Sequence, residues 1–245
     1  MRSRYPVFYR LPLWASPCGK RNAMTGRRAP YDVTATSALD RLIRRTAAWQ
    51  TLRDLRRHYE VWRWNRDGRP SPPPPLVKQA IVKEYARRFA LRTLIETGTY
   101  RGDMVHACRE TFEMIVSIEL DHVLFEEARR RFAKYPHVSI LHGDSGRLLR
   151  QTLPTILTPC LFWLDGHYCG AVTARGGAET PILHELSTIL SHPVREHVIL
   201  IDDARCFNGT HDYPTIDELR RAVLNVHPDW LFETANDIIR AHRRT

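Results

Sequence analysis

Residues 93–205 contain five short apolar runs, and each of them breaks off at an acidic residue. Short apolar runs separated by segments of helical periodicity are typical of a parallel β-sheet that helices cover on both faces. The runs predict strands over 93–97, 114–120, 138–143, 160–165 and 197–202. Because ligands of such sheets bind beyond the carboxyl ends of the strands, we expect the acids to lie around one crevice.

The segments between these strands have the spacing of amphipathic helices. They predict helices over 102–112, 121–134, 145–152, 180–191 and 214–226, and a β segment or hairpin within 230–242. Asp121 is placed to cap the second of these helices, and Asp144 or Ser145 the third. Five β–α units in series indicate an α/β fold with a doubly wound, Rossmann-like, mostly parallel sheet and right-handed crossovers.

Ahead of this alternating region the pattern changes twice. Residues 1–37 are rich in arginine, proline, serine and threonine and lack periodicity, which predicts an irregular basic segment. Residues 38–75 predict a basic amphipathic helix over 38–66, followed by a proline-rich linker. The Rossmann-like domain then extends over 76–245, and a helix over 76–89 opens it.

Positive charge is concentrated in the N-terminal third of the chain. Within a net charge of +10, residues 1–90 carry 20 Lys/Arg against 6 Asp/Glu, whereas residues 91–245 carry 17 against 21. Residues 38–69 are therefore a candidate surface for nucleic acid, for an anionic membrane or for another subunit of a homo-oligomer. The alternative is that the apolar stripe of this helix packs on the following domain while its arginines face water. The stripe consists of Trp49, Leu52, Leu55, Tyr59 and Trp62.

Cysteine usage and hydropathy favour a cytoplasmic protein. The five cysteines are odd in number and none forms a CxxC pair, which is typical of free thiols in a reducing compartment. No apolar run reaches the roughly 18 residues of a transmembrane span. Prolines at positions 6, 12 and 17 interrupt any signal-peptide core.

A glycine-containing turn links the first predicted strand to its helix, with the sequence Glu96-Thr97-Gly98-Thr99-Tyr100-Arg101-Gly102. Glycines allow the backbone to turn sharply and to approach a ligand closely. The spacing differs from the GxGxxG dinucleotide fingerprint. A carboxylate at Glu96 would repel a pyrophosphate and attract an ammonium group. The alternative is an ordinary strand–helix turn whose glycines only provide positive φ.

Two further acids follow the next two strands. Glu119 ends the second strand 23 residues after Glu96, near the spacing at which Rossmann-type folds hold ribose hydroxyls with an acid. Asp144 and Ser145 follow the third strand, where a carboxylate or hydroxyl could meet an adenine amino group. A helix N-terminal charge or a helix cap is the alternative for each of them.

The ordered set of acids resembles that of the class I S-adenosylmethionine-dependent methyltransferases, and the resemblance covers residues 76–230. In that family the first-strand acid and glycines hold the methionine part of the cofactor, the second-strand acid holds the ribose, and the third-strand acid holds the adenine. The resemblance implies a Rossmann-like domain of methyltransferase type that binds S-adenosyl-L-methionine. The residues it implies for this site are Glu96, Thr97, Gly98, Thr99, Gly102, Glu119, Asp144 and Ser145.

The last acids are similar to those of metal-dependent O-methyltransferases, of the catechol and macrolide-sugar kinds. This resemblance implies that Asp165, Asp202 and Asp203 bind Mg²⁺ or another divalent cation, for which three carboxylates are suitable ligands. Such a cation orients a substrate hydroxyl and lowers its pKa. Asp165 and His167 would be catalytic, with His167 accepting the hydroxyl proton. Helix caps, a backbone-bonded histidine and an acid that binds substrate without metal are the alternatives.

These patterns predict an enzyme that methylates a small hydroxylated or sugar-containing substrate with S-adenosyl-L-methionine. A metal-free methyltransferase that acts on nitrogen or RNA is the nearest alternative. A nucleotide- or dinucleotide-binding Rossmann protein and a non-catalytic scaffold that retains the pocket are alternatives from other functional classes.

Overall fold

Seven strands form one sheet in this computed structural model, which describes residues 47–166, 180–210 and 212–244. Their bounds are β1 (Thr93–Thr97), β2 (Met114–Glu119), β3 (Val138–His142), β4 (Cys160–Leu164), β5 (Val198–Ile201), β6 (Trp230–Ala235) and β7 (Ile238–Arg243). The strands lie in the order β3-β2-β1-β4-β5-β7-β6. The first five are parallel, and β7 is antiparallel to both β5 and β6. The predicted α/β class and doubly wound, mostly parallel sheet are therefore confirmed.

Helices flank this sheet at the predicted positions, with ends that differ by a few residues. Their bounds are α1 (Ala47–Arg66), α2 (Pro75–Arg88), α3 (Asp103–Cys108), α4 (His122–Phe132), α5 (Ser145–Thr152), α6 (Ile182–Leu190) and α7 (Ile216–Val226). The predicted N-caps are present. Asp121 accepts hydrogen bonds from two backbone N–H groups at the start of α4, and Asp144 accepts one from Arg147 in α5.

The central strands are buried on both faces. Every residue of β1, β4 and β5 is buried, because helices cover the two sides of the sheet. Successive residues alternate between two apolar clusters: Ile95 and Phe162 belong to one, and Leu94 and Leu161 to the other. This two-sided burial keeps the strands rigid up to their carboxyl ends, where the candidate site lies.

Helix α1 turns most of its apolar stripe to solvent. Trp64 is buried, with 8% of its surface exposed, and its indole N–H donates to the Pro70 carbonyl at 2.7 Å. Four predicted stripe residues are exposed, at 62% for Leu52 and Leu55 and at 54% for Tyr59 and Trp62. The expectation that these four pack on the following domain is wrong, because the helix directs Trp64 inward instead.

Several earlier expectations concern residues that the structure does not describe. The irregular segment 1–37, residues 38–46 of the predicted helix and the side chain of Trp49 all lie outside the described part. The division of the chain at residues 37 and 75 stays a prediction. Within the described residues, no helix has the length and apolar character needed to cross a membrane.

Candidate cofactor site and acidic rim

The carboxyl ends of the parallel strands lie side by side along one edge of the sheet. The hydrogen-bond ladder continues past the last strand residues, since the Asp165 N–H donates to the Thr97 carbonyl at 3.0 Å. In the same way, the Asp202 N–H donates to the Leu164 carbonyl at 3.0 Å. The predicted convergence of acids from separate strands on this edge is therefore present.

Glu96 and Glu119 lie on the same face of the sheet. Glu96 pairs in register with Ser117, whose hydroxyl donates a hydrogen bond to the Glu96 carboxylate. Ser117 and Glu119 are two residues apart in one strand, and side chains at that spacing share a face. The Thr99 hydroxyl lies 2.6 Å from the Ser117 hydroxyl, which ties the following turn to the same group.

Glu96 is a buried acid that lacks a cationic partner within the described residues. It is 2% exposed, and burial raises its pKa to about 8, although the hydrogen bond from Ser117 acts in the opposite direction. The neighbouring Glu119 raises the pKa of Glu96 further. A buried carboxyl group of this kind is suited to receive an ammonium group from a ligand.

Backbone N–H groups hold the Glu119 carboxylate in a fixed orientation. One oxygen accepts from the Tyr100 N–H at 2.7 Å and the other from the Asp121 N–H at 2.9 Å. Burial raises the pKa of this carboxyl group, and these hydrogen bonds oppose the shift. Each carboxylate oxygen can accept a second hydrogen bond, so Glu119 is able to bind a vicinal diol such as that of a ribose.

The turn between β1 and α3 depends on two glycines. Gly98 has φ +83°, and a Cβ there would lie 2.5 Å from the Asp165 carbonyl oxygen. Gly102 has φ +70°, and its Cβ would lie 2.5 Å from the Phe132 ring. The turn thus packs tightly between the end of β4 and helix α4, and a larger residue at either position would displace it. Thr97, at the end of β1, is itself fully buried.

Asp144 and Ser145 have local partners, and they lead to a carboxylate that the sequence reasoning missed. Asp144 is exposed and caps α5, accepting the Arg147 N–H at 2.8 Å, so the capping alternative is confirmed for this residue. The Ser145 hydroxyl donates to Glu185, which is 1% exposed and whose pKa burial raises to about 7. The sequence did contain a signal for Glu185, because this acid lies on the apolar face of α6, one turn after Ile182.

The acidic rim consists of Asp165, Asp202 and Asp203, at the carboxyl ends of β4 and β5. A lysine that the sequence reasoning also missed lies in this rim. Lys78, from α2, donates to a carboxylate oxygen of Asp202 at 2.5 Å and to one of Asp203 at 3.0 Å. The side chains are 17% exposed for Lys78, 2% for Asp202 and 17% for Asp203. Asp203 adopts a left-handed backbone conformation, with φ 52°. The predicted rim of acids is present, but a cation from the chain itself contacts two of them.

The pKa values in the rim follow from this pairing. Burial raises the pKa of Asp202 to about 6 against the effect of Lys78, and burial and Asp202 together raise the pKa of Asp165 well above its usual range. Burial also acts to raise the pKa of Asp203, but Lys78 and Arg205 outweigh it and hold the value below its usual range. Lys78 remains protonated, since the carboxylates raise its pKa against the effect of burial.

As placed, the carboxylates do not fit a divalent cation. In the described part of the chain, no three His, Cys, Asp or Glu side chains are grouped so that they could hold a metal ion. One carboxylate oxygen of Asp202 and one of Asp203 instead accept hydrogen bonds from Lys78. His167 lies outside the described residues, so its expected role as a base stays a prediction.

A second cation, Arg205, also contacts the rim. The Arg205 guanidinium contacts Asp203 at 2.9 Å and also Asp237, in the turn between β6 and β7. The Asp237 carboxylate additionally accepts the Arg205 backbone N–H at 2.9 Å. These contacts attach Arg205 to two acids of the protein, which fixes the position of Asp203.

Comparisons with solved structures identify the fold. The O-methyltransferase from Bacillus cereus, in complex with S-adenosylhomocysteine, matches with a TM-score of 0.52 and 15% identity over 76% of this chain and 90% of that protein. The O-methyltransferase TomG from Streptomyces achromogenes, in complex with S-adenosylmethionine, matches with a TM-score of 0.51 and 16% identity over 77% and 88%. No protein-family model and no curated protein matches the chain. The fold is therefore the Rossmann-like fold of methyltransferase type.

Proposed function

We propose that this protein is a class I S-adenosyl-L-methionine-dependent methyltransferase. The observation that carries the proposal is that Glu96 and Glu119 lie on the same face of the sheet, beside the tight Gly98 turn. In a sheet of methyltransferase type, Glu96 would receive the amino group of the cofactor and Glu119 its ribose. Thr97, Thr99 and Gly102 would shape the turn around the methionine part, and Asp144 and Ser145 would lie toward the adenine.

The proposed acceptor is a hydroxyl group of a small or sugar-containing molecule. The two solved structures compared above are both named O-methyltransferases. When bound, S-adenosyl-L-methionine supplies an electrophilic methyl group. The acceptor oxygen gains this methyl group and loses its proton, for which Asp165 and His167 are the proposed catalytic residues. The protein contributes mainly by holding the acceptor in line with the sulfonium group.

Calorimetric titration with S-adenosylhomocysteine and, in parallel, with NAD tests this function. We expect the first to bind and the second not to bind, because Glu96 can receive the ammonium group of the first, whereas an acidic side chain supplies no positive charge for a pyrophosphate. Methyl transfer to a panel of hydroxylated metabolites, amines and RNA then identifies the acceptor class. Binding of NAD without binding of S-adenosylhomocysteine would support a dinucleotide-binding protein and exclude the proposal.

Cofactor affinity should depend on pH through Glu96. The free protein holds a proton on this group, since its pKa is about 8, whereas a bound ammonium group favours the carboxylate. Binding therefore releases a proton below that pH. We expect affinity for S-adenosylhomocysteine to rise by up to about tenfold per pH unit toward pH 8 and then to level off. Calorimetry in buffers of different ionisation enthalpy measures the proton release, and Glu96→Gln should abolish it.

The basic helix α1 supports a proposed contact with an anionic partner, either nucleic acid or a membrane surface. A cleft of about 290 Å³ lies where α1 meets α2 and α3. Its charged lining consists of Arg53, Arg57, Lys83, Asp103, His106, Arg109, Glu110 and Arg131. Arg131 and Arg109 pair with the two acids, so Arg57 and Lys83 have no acidic partner within the described residues. Deletion of residues 1–68 without loss of RNA or vesicle binding would remove this role.

A further inference from the structure

Lys78 is joined to the acidic rim from a distant part of the chain. It lies on α2, 124 residues before Asp202, and its ammonium group reaches two carboxylates that follow β5. We propose that Lys78 is the resident cation of this rim, and that it supplies the positive charge for which a metal-dependent enzyme recruits a divalent ion. The rim then takes up no divalent metal while Lys78 is in place.

The contact distances prevent the lysine and a metal ion from sharing the same two carboxylate oxygens. The Lys78 ammonium lies 2.5 Å from a carboxylate oxygen of Asp202 and 3.0 Å from one of Asp203. Magnesium and calcium bind such oxygens at about 2.0–2.6 Å, so an ion that used both would have to occupy the space of the ammonium group. The lysine side chain is only 17% exposed, so its ammonium group lies largely inside the rim, beside the carboxylates that it contacts.

The charges of the rim lead to the same conclusion. Asp203 accepts hydrogen bonds on one oxygen from both Lys78 and Arg205, and Arg205 also neutralises Asp237. Two cations are thus already shared among Asp202, Asp203 and Asp237. A further divalent ion would have to compete with both for the same carboxylates. Repulsion between these cations and the metal would weaken its binding.

The arrangement also gives Lys78 a positioning role, which rests on the proposed methyltransferase function. An ammonium group has three N–H donors, and two of those on Lys78 point to Asp202 and Asp203. The described residues give no acceptor for the third, which we assign to an acceptor oxygen that enters at this edge of the sheet. A hydrogen bond from a cation stabilises the deprotonated form of a hydroxyl, as a metal ion does.

Titration of the full chain with Mn²⁺, followed by electron paramagnetic resonance, tests the proposal. The variants are Lys78→Gln and, as a matched control, Lys83→Gln, which changes a lysine on the same helix outside the rim. We expect the wild-type protein and Lys83→Gln to bind no Mn²⁺ below about 1 mM, the weak end of oxygen-ligand sites. Lys78→Gln should bind it at least about tenfold more tightly, and its Tm should rise with added Mn²⁺.

Two results would overturn the proposal. The first is binding of Mn²⁺ to the wild-type protein below about 1 mM that Asp202→Asn abolishes, a result that does not require Lys78→Gln to fold. The second is a folded Lys78→Gln protein without increased Mn²⁺ affinity. Neither readout depends on methyl transfer. Absence of S-adenosylhomocysteine binding would therefore refute the proposed function and leave the test of the resident cation unaffected.

Discussion

Gly98→Ala is expected to destabilise the protein by about 2–5 kcal/mol and to abolish binding of S-adenosylhomocysteine. A left-handed conformation costs a residue with a Cβ about 1–2 kcal/mol, and overpacking costs about 1–3 kcal/mol more. The added Cβ would lie 2.5 Å from the Asp165 carbonyl oxygen, which belongs to the backbone and cannot rotate away. Urea unfolding measures the loss of stability, and calorimetry measures the loss of binding.

Gly68→Ala is the matched control, because Gly68 also has a positive φ but has no atom within 4 Å of its added Cβ. Gly68→Ala should lower the free energy of unfolding only by the cost of the left-handed conformation, about 1–2 kcal/mol, and should leave cofactor affinity normal. The difference in stability loss between Gly98→Ala and Gly68→Ala measures the contribution of the contact between the Gly98 turn and the end of β4. Equal losses of stability, or normal cofactor binding by a folded Gly98→Ala protein, would contradict the described packing of the turn.

Glu119→Ala is expected to lower the affinity for S-adenosylhomocysteine about 100-fold. Each hydrogen bond to a charged acceptor contributes about 1.5 kcal/mol or more, and a ribose diol can donate two of them, which together correspond to that factor. The measurement is calorimetric titration at fixed pH, with circular dichroism to confirm folding. The variant also loses the acceptor for the Tyr100 and Asp121 N–H groups, so some loss of stability should accompany it.

Glu126→Ala provides the control for this experiment. Glu126 is a partly exposed acid on α4, close in sequence to Glu119, and it pairs with Arg129 at the surface. Its removal changes the net charge by the same amount but leaves the sheet edge intact, so affinity should stay within about twofold of wild type. A loss of affinity equal to that of Glu119→Ala would mean that net charge, and not the orientation of Glu119, controls binding.

Much of the fold was predictable because the local pattern and the final burial agree. The central strands are apolar at nearly every position since both their faces are covered, and the predicted limits of β1 match its bounds. The position of the acids at one edge of the sheet could be predicted from topology alone, because the carboxyl ends of parallel strands lie at the same edge. The positions of Glu96 and Glu119 needed no knowledge of any side-chain contact.

The parts of the site that the sequence did not predict depend on contacts between distant residues, which no local pattern indicates. Lys78 and Asp202 are 124 residues apart, and a lysine on a helix gives no indication of which carboxylate it will meet. The outward direction of the apolar stripe of α1 could not be inferred from the sequence for a related reason. Periodicity defines an apolar face but not the surface against which it packs, and here the inward position belongs to Trp64.

The contact between the Gly98 turn and the Asp165 backbone has a further consequence for the order of binding in the proposed reaction. A Cβ at Gly98 would meet the Asp165 carbonyl oxygen, and the Asp165 and Asp202 N–H groups extend one hydrogen-bond ladder across three strands. A molecule that orders the Gly98 turn will therefore also act on the backbone of Asp165 and Asp202. Under the proposed function, such coupling favours a compulsory sequence in which the methyl donor enters first and the methyl acceptor second.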